Sequence, residues 1–230
     1  NNESNITVFA SPNEHQACVI MKDKSIHRFS YFSTHPLVAV CDVGVLYTTD
    51  ASTVQIWDFS TQKHSVVIRS ESNIETLIAN SNFRTFAVAT SDRHVSAYSL
   101  NRHTLIRTSS TPEVITTLLT TDTWGFFIGI SPSYVNVLSV DGVLIKSQKF
   151  DRHISVCSSF TTTTGVDGVV FVDIQSRAYY FEAFYPERVY PLAKCIRPVV
   201  ACSYIPNAKC FIFIHNNSGI TIVQDRITNP

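Results

Sequence analysis

Glycine is scarce in this 230-residue chain, with only seven copies. Neither a G-x-x-x-x-G-K-[ST] nor a G-x-G-x-x-G loop can be read among them, which excludes phosphate cradles of those kinds. No C-x-x-C pair links the six cysteines, Cys18, Cys41, Cys157, Cys195, Cys202 and Cys210, and the eight histidines form no H-E-x-x-H. Most of the cysteines fall in apolar runs, where a thiol packs as a small hydrophobe in a reducing compartment. No metal and no cofactor is therefore expected. Neither sign of charge is in excess: 18 Lys+Arg stand against 18 Asp+Glu. A nucleic-acid binder normally carries a basic stripe, and none is present. The longest apolar runs, Trp124 to Ile130 and Cys210 to Ile214, fall far short of the roughly 20 residues that cross a bilayer as a helix. The opening Asn1-Asn2-Glu3-Ser4-Asn5 has no signal-peptide character. G-x-S-x-G is also missing, and Ser and Thr are too common to mark a constrained nucleophile. No enzymatic activity is expected.

What the chain does have is alternation. Thr53 to Ser60, TVQIWDFS, places Val54 and Ile56 on one side and closes on Trp57-Asp58 before a polar turn, Ser60 to Lys63. This pattern reads as a strand, a hairpin turn and a second strand from His64. The same arrangement returns at His94–Leu100, Tyr134–Val140, Arg177–Ala183 and Gly219–Gln224. Its anchors Val54, Val95, Val135, Ala178 and Ile220 lie 41, 40, 43 and 42 residues apart. A period of about 40–45 with a Trp-Asp copy is the repeat of a WD-type β-propeller. β-Branched and aromatic residues dominate every run and no helical period appears. The fold expected is all-β: a propeller of four-stranded antiparallel blades with about six units visible, six- or seven-bladed when complete.

The units fall at about 6–33, 37–70, 74–109, 114–150, 154–194 and 199–228 of one propeller domain or its C-terminal part. The first and last each lack an outer strand, unless Tyr31-Phe32 is a vestige of one. An open blade edge exposes unpaired backbone groups, so the expectation is that residues upstream of Asn1 supply a strand or a whole blade. Asp141-Gly142 predicts a two-residue hairpin turn. Gly125 and Gly129 read as close packing within one strand.

Trp57, Tyr98 and Phe181 recur at one position of the third strand, as packing residues between blades, with Asp58 completing the Trp-Asp pair. Asp50, Asp92, Asp173 and Asn217 precede third strands as turn formers. Asp92-Arg93-His94 and Asp151-Arg152-His153 look alike but lie 59 residues apart, out of step with the repeat. The loops from an outer to the next inner strand, and from a second to a third strand, share one face of a propeller. That face carries Arg69, Glu71, Arg93, Glu113, Asp151, Arg152, Arg197 and His215, a mixture of charge suited to protein contacts.

The chain resembles the C-terminal WD-repeat propeller of BEACH-domain proteins, the neurobeachin type of trafficking scaffold. The likeness is best in YVNVLSVDGVLIKSQ (from Tyr134), GVDGVVFVDIQSRAYYFEA (from Gly165) and HNNSGITIVQ (from His215). MKDKSIHRFSYF and TTDASTVQIWDF resemble earlier repeats. Only one Trp-Asp is present, and no Gly-His opens a repeat. The resemblance implies a non-enzymatic interaction scaffold for vesicle traffic and autophagy, cytoplasmic and peripheral to endomembranes. Its implied partners are other proteins and an upstream BEACH-like module of the same chain, with no nucleic acid and no membrane insertion. The alternative is a generic WD-repeat adaptor of a coat or ubiquitin-ligase complex.

Overall fold

Side chains that alternate in polarity on β-branched and aromatic residues favour a pleated, half-buried strand, and continuous apolar runs one buried on both faces. The computed structural model describes residues 7–11, 16–20, 24–30 and 38–225, and all its regular elements are strands. Blade one holds β1 (Thr7–Ser11), β2 (Gln16–Ile20) and β3 (Ile26–Ser30). Blade two holds β4 (Val38–Val40), β5 (Gly44–Thr48), β6 (Thr53–Asp58) and β7 (His64–Arg69). Blade three holds β8 (Ile74–Asn80), β9 (Thr85–Thr90), β10 (His94–Ser99) and β11 (Leu105–Ser110). Blade four holds β12 (Thr117–Thr120), β13 (Phe127–Ile130), β14 (Tyr134–Leu138) and β15 (Leu144–Lys149). Blade five holds β16 (Ile154–Thr161), β17 (Asp167–Asp173), β18 (Arg177–Glu182) and β19 (Tyr190–Lys194). Blade six holds β20 (Val199–Ile205), β21 (Cys210–His215) and β22 (Ile220–Gln224). Each is an antiparallel meander in chain order. The Tyr31-Phe32 strand expected for the first unit lies outside the described residues.

The first strands β4, β8, β12, β16 and β20 abut one another in succession, so the blades are arrayed around their inner edges. Pairing register explains the spacing of the repeat anchors. Val54 faces Thr48, Val95 faces Ala89, Val135 faces Ile130, Ala178 faces Val172 and Ile220 faces Ile214. These pairs occupy one site on the front of successive blades, turned toward the next blade. The back of each sheet carries bulkier groups: Trp57 opposite Val45, Tyr98 opposite Phe86, and Phe181 opposite Val169. Trp57 meets His27 of blade one with ring centroids 4.6 Å apart.

Front meets back in four separate cores. Val54 and Ile56 pack with Phe86 and Val88; Ala89 and Val95 with Phe127 and Leu138; Ile130 and Val135 with Phe171 and Phe181; Val172 and Ala178 with Phe211 and Phe213. Each large side chain buried in these seams contributes about 1.5–3 kcal/mol. A single blade has no such seam, which is why the repeats are stable only side by side.

Two sequence expectations are corrected. Between β14 and β15 the loop spans three residues, not two: Ser139 N–H donates to Val143 O at 2.9 Å, and Gly142 N–H to Ser139 O at 2.8 Å. Gly142 alone has a positive φ, 80°. A two-residue turn on Asp141-Gly142 needs positive φ at both positions, whereas one left-handed glycine after a turn gives the longer bulged form. Gly125 is not in the strand with Gly129. It turns the chain ahead of β13 at φ 67°.

Candidate interaction faces

Hydrogen bonds between loops prove that the two expected loop sets share a face. Ser91 N–H donates to Asn73 O, Thr111 N–H to Arg93 O, and Cys195 N–H to Ser176 O, each at 2.8 Å. Phe150 N–H donates to Ser133 O at 2.7 Å. In every case an outer-to-inner connection is latched to a second-to-third-strand turn. The turns are themselves held by carboxylates. Asp173 accepts from Gln175 N–H and Arg177 N–H at 2.9 Å and from Arg177 Nε at 2.8 Å. Asp92 accepts from Thr90 Oγ1 at 2.5 Å, a bond that, with His94 beside it, holds its carboxyl down at about 2. Asp50 and Asn217 hold their turns in the same way, through Ser52 N–H and Gly219 N–H. At the opposite end of β6, Asp58 gathers Ser60 N–H and Thr61 N–H at 2.9 and 2.7 Å.

The structure divides the eight charged residues expected on this face. Arg69, Glu71, Arg93, Asp151 and Arg197 are exposed. Glu113 is half-buried and accepts from Ser133 N–H at 2.9 Å, which holds its carboxyl below the usual range. Arg152 donates to Tyr179 Oη at 2.8 Å and lies 4.3 Å from that ring's centroid. His215 is buried, with its ring nitrogens 3.1 Å from Arg197 O and 2.8 Å from Thr221 Oγ1. These last three brace the loops. A depression of about 320 Å³ opens between Asp151–His153 and Asp173–Arg177. Its Asp173, Arg177 and Arg152 are already committed to the bonds above. Among the described residues no group of three or more His, Cys, Asp or Glu side chains is arranged to hold a metal.

The opposite face shows what the sequence reading overlooked. There the loops from first to second strand and from third to fourth strand bring four large aromatics outward. Trp124 is 55% exposed, Phe184 50%, Tyr185 48% and Phe83 39%. They form one patch across three blades. Trp124 and Phe184 meet edge to face at 5.5 Å, and Phe126 supports Phe184 from below at 4.9 Å. Phe83 lies so closely over Gly125 that a Cβ there would come within 2.5 Å of its ring. Arg188 covers Tyr185 at 4.9 Å, and Lys146 pairs with the adjacent Glu187.

This patch is fixed from beneath by buried polar groups. The Asp167 carboxylate, 2% exposed, accepts from Trp124 N–H at 2.9 Å, Thr123 N–H at 3.3 Å and Thr161 Oγ1 at 2.6 Å. Asn80 donates to Thr120 Oγ1 at 2.7 Å and Thr121 O at 3.0 Å, and accepts from Phe83 N–H at 3.2 Å. The loops bearing Phe83 and Trp124 are thereby tied to the neighbouring blades. The sequence signal was the presence of large aromatics in turns, Thr123-Trp124-Gly125 and Phe184-Tyr185-Pro186. Trp124 opens the apolar run to Ile130, which disguises it as a strand residue.

With strand order, register and seams in place, the chain is an all-β propeller of the WD-repeat type. No family profile and no curated protein sequence matches it. Among solved structures it is similar to a chain of the "Crystal Structure of Mitotic Checkpoint Complex", with a TM-score of 0.67 at 6% identity. The alignment covers 97% of this chain and 76% of that one. At that identity the likeness is one of fold.

Proposed function

We propose that this propeller is a non-enzymatic protein-interaction scaffold whose principal contact surface is the aromatic face of Phe83, Trp124, Phe184 and Tyr185. The observation that carries this reading is Trp124, more than half exposed yet held in place by a buried carboxylate of the next blade. Exposed aromatic patches flanked by Arg are enriched where proteins bind proteins. The fold is also found in a chain of a multi-protein assembly, the mitotic checkpoint complex. The test is purification of the tagged protein from its own cells. Partners should accompany the wild type and an Arg93→Ala/Arg197→Ala variant but leave a folded Trp124→Ala/Tyr185→Ala variant. Retention by the aromatic variant overturns the assignment.

At finer grain the scaffold is assigned to a BEACH-type trafficking protein, cytoplasmic and peripheral to endomembranes. Support for this is the resemblance of residues 134–224 alone. The coding sequence upstream of Asn1 tests it: a BEACH module there supports the assignment. Any other upstream sequence favours a generic WD-repeat adaptor of a coat or ubiquitin-ligase complex, which requires only the fold.

A further inference from the structure

Blades three and five share a register that sets their side chains against one another place by place. The bulges between Ile74 and Thr76 and between Ile154 and Val156 coincide, with Ile74 facing Thr90 as Ile154 faces Asp173. Ser72 and Arg152 each stand two residues before that isoleucine. Ser96 faces Val88 as Tyr179 faces Phe171, one residue after the anchors Val95 and Ala178. Ser72 therefore corresponds to Arg152, Val88 to Phe171 and Ser96 to Tyr179. In blade five these three side chains make one stack. The Phe171 and Tyr179 rings lie 5.4 Å apart, and the Arg152 guanidinium sits 4.3 Å from the Tyr179 centroid. Blade three has two hydroxymethyl groups and an isopropyl group in their place.

The smaller groups leave a groove of about 380 Å³ between blades two and three. Ile68, Val88, Tyr98 and Leu105 line its apolar part, and Glu71 and Asp92 bring carboxylates to its edge. Both carboxylates are exposed, and Asp92, held down at about 2, is ionised at neutral pH. Among the described residues no Lys or Arg forms an ion pair with either. Arg69 and Arg107 adjoin Ile68 and Thr108, so alternation turns them to the other faces of β7 and β11. The groove thus combines apolar walls with negative charge that the chain does not neutralise.

Blades two and three each have all four strands, so this groove is not a strand place that the fold itself must fill. What suits it is a side chain with an apolar stem and a planar cationic head, the group that blade five supplies from its own chain. We propose that the groove is a docking site for an arginine side chain of a partner protein. Its methylenes pack on Ile68 and Leu105. Its guanidinium takes the place that Arg152 holds in blade five and pairs with Asp92 and Glu71. Lysine, a compact point charge, reproduces neither the stacking nor the forked pairing. The site does not rest on the aromatic face.

The probe is the peptide acetyl-Ala-Arg-Ala-amide, titrated onto the full chain and followed by backbone amide NMR shifts. Saturable shifts are expected at residues 70–72, 90–96 and 105–108. The same peptide with citrulline keeps the shape of the head but not its charge, and should bind about tenfold more weakly. The lysine peptide should also bind more weakly than the arginine peptide. Glu71→Gln, at an exposed side chain, should weaken binding with the fold unchanged. Ser72→Arg supplies the guanidinium from the chain itself and should abolish it. Trp124→Ala/Tyr185→Ala should leave it unaltered, which separates this site from the aromatic face. No binding, equal binding of the citrulline or lysine peptide, or binding undiminished by Ser72→Arg overturns the proposal. So do shifts at these residues on concentrating the protein alone, which place a second copy in the groove.

Discussion

Asp167 does at the residue scale what a loop sequence cannot do by itself. Three donors converge on one buried carboxylate, so removing it leaves the backbone N–H groups of Thr123 and Trp124 without their acceptor. Asp167→Ala is expected to destabilise the protein by about 3 kcal/mol and to shift Trp124 emission. An unchanged denaturation midpoint and spectrum would contradict this. The thiols make a second case. Burial pushes Cys157 up from 9.0 to about 11, and burial with Cys157 nearby pushes Cys202 to about 12. In these groups the folded state holds its proton longer than the unfolded state does. Their contribution is therefore complete below pH 9 and is lost progressively as pH rises from 9 toward 11–12. Cys202 is buried and Cys157 half-buried, so thiol labelling at pH 8 should spare Cys202 until denaturant is added, and early labelling there would refute its burial. Buried thiols were legible in the apolar runs around them. The role of Asp167 was not, because its backbone partners Thr123 and Trp124 lie more than forty residues away and are joined to it only by the packing of two blades.

Elements were the most legible scale, because a period of two in polarity maps directly onto a pleated strand. The third strands were readable to within a residue or two, since Val54, Val95, Val135 and Ala178 are each buried between sheets. Turns were less so. Asp141-Gly142 signals a hairpin, yet its length is set by contacts with blade three, where Ser109 Oγ donates to Gly142 O at 2.7 Å. A Cβ on Gly142 would come within 2.7 Å of the Ala97 Cβ, at a φ of 80°. Gly142→Ala is thus expected to cost about 1–3 kcal/mol through strain and overpacking, measured by denaturant unfolding. A neutral result would show that the blade-three seam yields there.

At the scale of the whole molecule, the repeat spacing of 40–43 residues makes the propeller legible in the sequence. The working surface is not, because polarity patterning describes strands and their loops one at a time. Of the charged turn residues Arg93, Arg152 and His215, the last two are engaged in bracing the loops. The aromatic face emerges only when blades three, four and five are set side by side. Phe83, Trp124 and Phe184 are separated by about one repeat or more in sequence and meet over Gly125 and Phe126. Partners are proposed to bind on this aromatic face. Amide hydrogen exchange of the protein, alone and with a co-purified partner, tests it most directly. New protection is expected at residues 81–84, 122–125 and 184–188, with little change at 91–93 and 195–198. Protection confined to the charged loops, with the aromatic loops unaltered, would contradict it.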